Sequence, residues 1–182
     1  MPLAQELLPK VEVEFSCDDG EQPPWDCCER LQAAAKCKHI NKQVQDAQAA
    51  GKPGLRMKSS RQMDRLRPLK ESYQAAYRRA WKKGPENRHY TDPCIKPVDE
   101  LPPNIQADHM LDTVACGSSV GPFAAMSNRP NDQMGGQLQR ARPRNPKDKR
   151  SFKEASLTKV GMNCGPAPKC PHSPKHKGFK CP

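Results

Sequence analysis

The chain has 182 residues, enough for one ordinary domain, but Leu, Ile, Val and Phe number only 25, and Lys and Arg outnumber Asp and Glu by 31 to 20, a formal net charge of +11. Set against 20 Pro and 11 Gly, this composition argues against a large independent hydrophobic core, because too little apolar area is buried to offset conformational entropy. The expected fold class is mostly irregular or extended, with a short α-helical hairpin and little or no β structure.

Four segments follow from the composition shifts: an acidic extended head (1–24), the helical hairpin (25–83), a Pro/Gly-rich strap with one short helix (84–137) and a basic Pro/Cys-rich tail (138–182). In the head, Val11, Val13 and Phe15 alternate with Lys10, Glu12 and Glu14. That is a strand signal, but a lone strand has no ladder and needs another sheet edge to join. Residues 1–29 carry one Lys against eight acids, a net charge of −7, whereas 138–182 carry twelve Lys and Arg against two acids, a net of +10. An acidic head on a basic body suits either pairing between the two or contacts of each sign with partners.

In the hairpin, Ala33, Cys37, Ile40, Val44 and Ala47 recur at alternating spacings of four and three, one thin stripe of a helix. Asp26, three residues before Glu29, resembles a capping box, and Gly51, Pro53 and Gly54 end the run. The second helix is best started at Pro68, with Leu69, Tyr73, Ala76 and Ala80 on one face, Tyr77 and Trp81 beside it, and Gly84-Pro85 closing it. Lys70, Arg78, Arg79, Lys82 and Lys83 crowd its remaining surface. This basic face reads as a contact for an acidic polymer, with Trp25, Tyr73, Tyr77 and Trp81 as anchors.

In the strap, Pro93, Pro97, Pro102 and Pro103 bias their neighbours toward extended conformations. Ala107–Ala115 fits one or two helical turns, and 117–137 reads as Gly, Ser, Asn and Pro punctuation, with Gly135-Gly136 in no phosphate-binding context. Asp108 beside His109 is not read as a general base pair, since no nucleophile accompanies it. The tail then presents Arg140, Arg142, Arg144, Lys147, Lys149 and Arg150, a run suited to binding phosphates or acidic tails through charge.

Nine Cys cannot all close intramolecular disulfides. Cys17, Cys27 and Cys37 are separated from one another in turn by nine intervening residues, which resembles half of the twin CX9C pattern of the coiled-coil-helix-coiled-coil-helix proteins of the mitochondrial intermembrane space. The resemblance implies a second pair on the partner helix and two disulfides stapling the hairpin, but residues 68–83 contain no Cys. Cys164, Cys170, His172, His176 and Cys181 supply zinc-type ligand atoms at a spacing that matches no common finger, so no metal and no cofactor are expected. Cys164-Gly165-Pro166 is similar to the Cys-Gly-Pro repeats of some insect sperm-tail proteins, in a single copy.

No motif assembles a nucleophile, base and oxyanion site, so a non-enzyme is expected. The favoured class is a structural accessory protein ordered by a large acidic assembly, preferably a microtubule wall in an axoneme, with tubulin as partner. The alternatives are a nucleic-acid-binding structural protein of sperm chromatin or the ribosome, and a disulfide- or zinc-stapled mitochondrial module. No stretch approaches the ~20 apolar residues of a membrane span. Met1–Lys10 lacks the apolar run of a secretory signal. An intracellular protein is expected, in the cytoskeleton or cilium by preference, with nucleus or mitochondrion open.

Overall fold

The computed structural model describes residues 8–18, 20, 23–84, 101, 103–109, 113–115 and 123–165. The strand signal of the head is realised as β1 (Lys10–Ser16), and its ladder comes from the other end of the chain. It pairs in parallel with β7 (Ala155–Asn163), Val13 opposite Val160 and Phe15 opposite Met162. Thr158 is the extra residue where the register shifts, and its hydroxyl donates to the Val11 carbonyl at 3.1 Å. β2 (Leu55–Met57) adds antiparallel to the opposite edge of β7, giving the order β1-β7-β2.

The expectation of little or no β structure is therefore corrected. About 29% of the described residues lie in strands, seven of them forming three sheets. The two-stranded sheets are β3 (Ile105–His109) with β4 (Phe123–Ser127), and β5 (Arg144–Asn145) with β6 (Asp148–Phe152). β3 replaces the expected start of a helix at Ala107, and among the described residues of that stretch Thr113–Ala115 coils, as a single 3-10 turn. The stretch read as punctuation holds β4 and a helix, α3 (Asn128–Ala141). Pro130 is tolerated there because first-turn N–H groups have no intrahelical partner in any case.

The two anticipated helices exist with different limits. α1 (Cys27–Ala49) starts on the capping box read from sequence: Asp26 Oδ1 accepts from Glu29 N, and Glu29 Oε2 from Asp26 N, both at 2.9 Å. Its end is marked by Gly51 at φ 77°, a left-handed position that favours glycine. α2 (Ser60–Lys83) begins eight residues before Pro68, on a second capping box between Ser59 and Gln62. β2 separates the helices, and they do not close on one another as a hairpin. α1 packs on β7 and α3, whereas α2 packs on β3 and β6.

A substantial core forms despite the composition. Its main cluster contains Phe15, Trp25, Ala33, Ile40, Val44, Met57, Val114, Met126, Met134, Leu138, Leu157 and Val160, together with Cys17 and Cys37. Met, Cys, Ala and Trp supply much of the volume that a count of Leu, Ile, Val and Phe overlooks. A second cluster seats Tyr77 and Trp81 of α2 against Leu101, Ile105, Ala107 and Ala125. The α1–β2 connection lies so close to β7 that a Cβ on Gly54 would collide with the Leu157 carbonyl and stand 3.0 Å from Ser156 Oγ.

Small sheets leave backbone groups unpaired along their edges, and this chain covers them with side-chain amides. Asn41 donates to the Val160 carbonyl at 2.8 Å and accepts from Val160 N at 2.9 Å, pairing β7 beyond the end of β2. Gln137 engages Ser16 N and O on β1 in the same way, at 2.8 and 3.2 Å. Gln74 does so for Ala107 of β3, with both bonds at 2.9 Å.

Candidate functional site

The aromatic residues expected to anchor a partner turn inward. Trp25 is 1% exposed and its indole N–H donates to Gln133 Oε1. Tyr77 and Trp81 are buried with ring centroids 6.0 Å apart, and Tyr73 sits edge-on to His109 at 4.7 Å. Arg78 is also engaged within the chain: its guanidinium donates to the carbonyls of Leu101, Pro103 and Ile105 at 3.0, 3.4 and 2.5 Å. Arg142 is buried, donates to the Lys58 and Gln139 carbonyls, and lies 4.9 Å over the Phe152 ring.

The other proposed cations face solvent: Arg79, Lys82 and Lys83 at the end of α2, Arg140 on α3, and Arg144, Lys147, Lys149 and Arg150 on the β5–β6 ribbon. Ribbon geometry follows from its sequence. Pro146-Lys147 makes the turn, Asn145 Oδ1 accepts from Lys147 N, and Asp148 Oδ1 accepts from Arg150 N, both at 3.0 Å. Its base is fixed by three contacts. Phe152 N donates to Ser60 Oγ at 2.8 Å, Lys153 N to the Pro143 carbonyl at 2.8 Å, and Arg144 lies over the Phe152 ring at 5.3 Å. The ribbon thus carries four exposed cations on a braced two-stranded element, with Arg144 at its base, where its guanidinium also donates to the Lys149 carbonyl at 2.6 Å, and Lys147, Lys149 and Arg150 beyond it. At the far end of α2, Arg78, Arg79, Lys82 and Leu101 line an open cleft of about 210 Å³. Arg79 lies nineteen residues beyond Ser60, which places it about 28 Å along the helix axis, at 1.5 Å per residue, from the point where α2 holds the base of the ribbon.

Sequence reading missed a polar seam beneath α1. The Lys36 ammonium contacts Asp108 Oδ1, each side chain 1% exposed, and stands 3.4 Å from Asn131 Oδ1. Glu29, buried, accepts from Arg129 Nη2 at 2.7 Å, and Gln32 Oε1 accepts from Ser127 N at 2.8 Å. Glu29, Gln32 and Lys36 follow one another at spacings of three and four on the same face as Ala33, Cys37 and Ile40. That spacing was the available signal. On β3 the side chains alternate: Ile105, Ala107 and His109 face α2, while Asp108 faces α1.

The cysteines do not form a stapled hairpin. Cys17 and Cys164 are the next residues beyond the Ser16–Asn163 pair of the parallel ladder, and they are joined by a disulfide with Cα atoms 4.9 Å apart. Cys164 is thereby withdrawn from the zinc set, and Cys170, His172, His176 and Cys181 lie outside the described residues. Cys27 is also disulfide-bonded. The buried Cys37 thiol, 3.9 Å from the Gly161 carbonyl, is pushed up from 9.0 to about 12 by burial, an effect partly opposed by the Lys36 charge. Thiolate is the nucleophile, so Cys37 is expected to resist iodoacetamide at pH 8 in the folded protein and to react once urea unfolds it, as read by peptide mass. With the pKa higher in the folded state, its contribution to stability is complete below pH 9 and falls as pH rises toward 12. Rapid alkylation of native protein at pH 8 would contradict the burial.

Among the described residues no group of three His, Cys, Asp or Glu is arranged for a metal ion, and no helix is long and apolar enough to cross a membrane. Comparison with protein-family models, curated proteins and solved structures finds no match, so the functional reading rests on the chain's own geometry.

Proposed function

We propose that the protein is a non-catalytic structural component that docks on an acidic polymer through the β5–β6 ribbon, assisted by the cations at the end of α2. The observation that carries this reading is the ribbon itself: Arg144, Lys147, Lys149 and Arg150 exposed within seven positions on a braced hairpin whose base is locked into the fold. A two-stranded ribbon fits the major groove of a duplex, and clustered Arg and Lys neutralise phosphates. These features favour nucleic acid as the polymer. The preference for a microtubule wall rested largely on the expected lack of a core, and the core removes that premise. An acidic filament remains the second reading because the chain intersperses twenty acids with its cations, a mixed surface better suited to a protein partner than to bare phosphate.

Binding of the purified chain to a duplex and to stabilised microtubules, side by side over a salt series, tests both readings. Four phosphate contacts give a log–log salt slope of about −3.6 on duplex DNA. Changing Lys147, Lys149 and Arg150 together to Glu, with the bracing Arg144 kept, is expected to reduce duplex affinity by at least about 10-fold at moderate salt with the circular dichroism spectrum unchanged. Microtubule pelleting abolished by the same variant, with weak duplex binding, would favour the filament. Undiminished binding to both would exclude the ribbon.

A further inference from the structure

A lysine amine, a carboxylate and a side-chain amide from three different elements meet beneath α1, and their chemistry goes beyond binding. We propose that Lys36 and Asn131 become joined by an intramolecular amide bond, formed autocatalytically after folding with Asp108 as the proton carrier.

Lys36 on α1 contacts Asp108 of β3, both side chains 1% exposed, and its Nζ is 3.4 Å from Oδ1 of Asn131 on α3. A carbonyl bond is about 1.2 Å long, so the Asn131 Cγ lies within about 4.6 Å of the amine. Turning the asparagine amide about its broad terminal torsion presents its face to the amine, and small changes in the lysine's own four torsions close the remaining distance to about 3–3.5 Å without moving either helix. Two buried charges are costly to keep, whereas proton transfer from the ammonium to the Asp108 carboxylate leaves a neutral amine and a carboxylic acid. The neutral amine is the nucleophilic form.

The step balances without a co-reactant. The Nζ lone pair adds to Asn131 Cγ, and the protonated Asp108 delivers its proton to the amide nitrogen as that C–N bond breaks. Ammonia leaves, and Asp108 takes up the proton released by the newly acylated nitrogen. One C–N bond forms, one breaks, and nothing is oxidised or reduced. Asn131 is only half-buried, which gives the ammonia a route to solvent. Asp108 is the other carbonyl within reach, but acylation there needs a second acid as carrier. Glu29, the other buried carboxylate of the seam, is held by Arg129 and begins seven residues earlier on α1, about 10 Å along the axis.

The bond would tie α1 to α3 across 95 residues, so the experiment reads mass rather than function. Intact mass of the full chain after complete reduction and alkylation is expected about 17 Da, one ammonia, below the mass of the sequence with all nine Cys alkylated. Trypsin is expected to skip Lys36, leaving a branched peptide that joins residues 31–38 to Asn131. The Asp108→Asn variant, which keeps amine and amide but loses the carrier, is expected to show the full mass and cleavage after Lys36. Full mass with cleavage after Lys36 in the wild-type chain overturns the proposal, and that reading does not depend on any variant folding. A 17 Da loss with Lys36 still cleavable, as a succinimide at Asn131 would give, also overturns it. So does a water-sized loss mapped to Asp108.

Discussion

Replacing Cys17 and Cys164 together with alanine is expected to lower the stability of the protein by about 4–5 kcal/mol. β1 and β7 are neighbours in a parallel ladder yet come from opposite ends of the described chain, so the ladder forms only after an entropically costly closure. The disulfide spans 147 residues, a separation for which constraint of the unfolded chain is near its largest. Because Cys17 is 2% exposed and packs with Phe15 and Trp25, alanine at that site also removes some buried volume. Urea unfolding of the oxidised wild type and the double variant measures the difference. A loss below about 1 kcal/mol would show that β1 is held by its packing and not by the bond.

In an Asn131→Ala background, where Lys36 has no amide to react with and stays paired with Asp108, Lys36→Met is expected to cost about 3–5 kcal/mol, because it leaves the Asp108 carboxylate buried without its cation. Asp108→Val should cost a similar amount for the mirror reason. The double variant should be far less damaged than the sum, since matched apolar groups carry no desolvation penalty and a buried ion pair is about neutral against them. An additive cycle, measured by the same urea titration, would show that the two side chains do not meet in solution. The seam also sits next to Ser127 and Arg129, where β4 runs into α3, so the singles are expected to loosen that junction first.

The sequence shows its local devices plainly and its long-range ones hardly at all. The Asp26–Glu29 capping box, the stripe from Ala33 to Val44, the turn at Gly51 and the alternation from Val11 to Phe15 are decided within a few residues, and all are present. β7 was hidden because Ser156, Thr158, Lys159 and Gly161 interrupt its apolar positions and because the tail around it is basic. Its strand character comes from partners about a hundred residues away or more. α3 was hidden by Pro130 and Gly135-Gly136, helix-weakening residues that tertiary packing of Met134 and Leu138 overrides. Of the candidate contacts, the charge run at 144–150 was visible as composition. The inward turn of Trp25, Tyr77 and Trp81 was not, since an amphipathic aromatic carries the same signal at an interface as in a core.

Hydrogen exchange of the oxidised chain, alone and saturated with duplex, most directly decides whether the ribbon is the docking surface. Slow exchange in β1 and β7 without any partner, and new protection on binding confined to residues 144–152 and 78–83, is the predicted result. Protection that appears elsewhere and leaves the β5–β6 ribbon unchanged would contradict it.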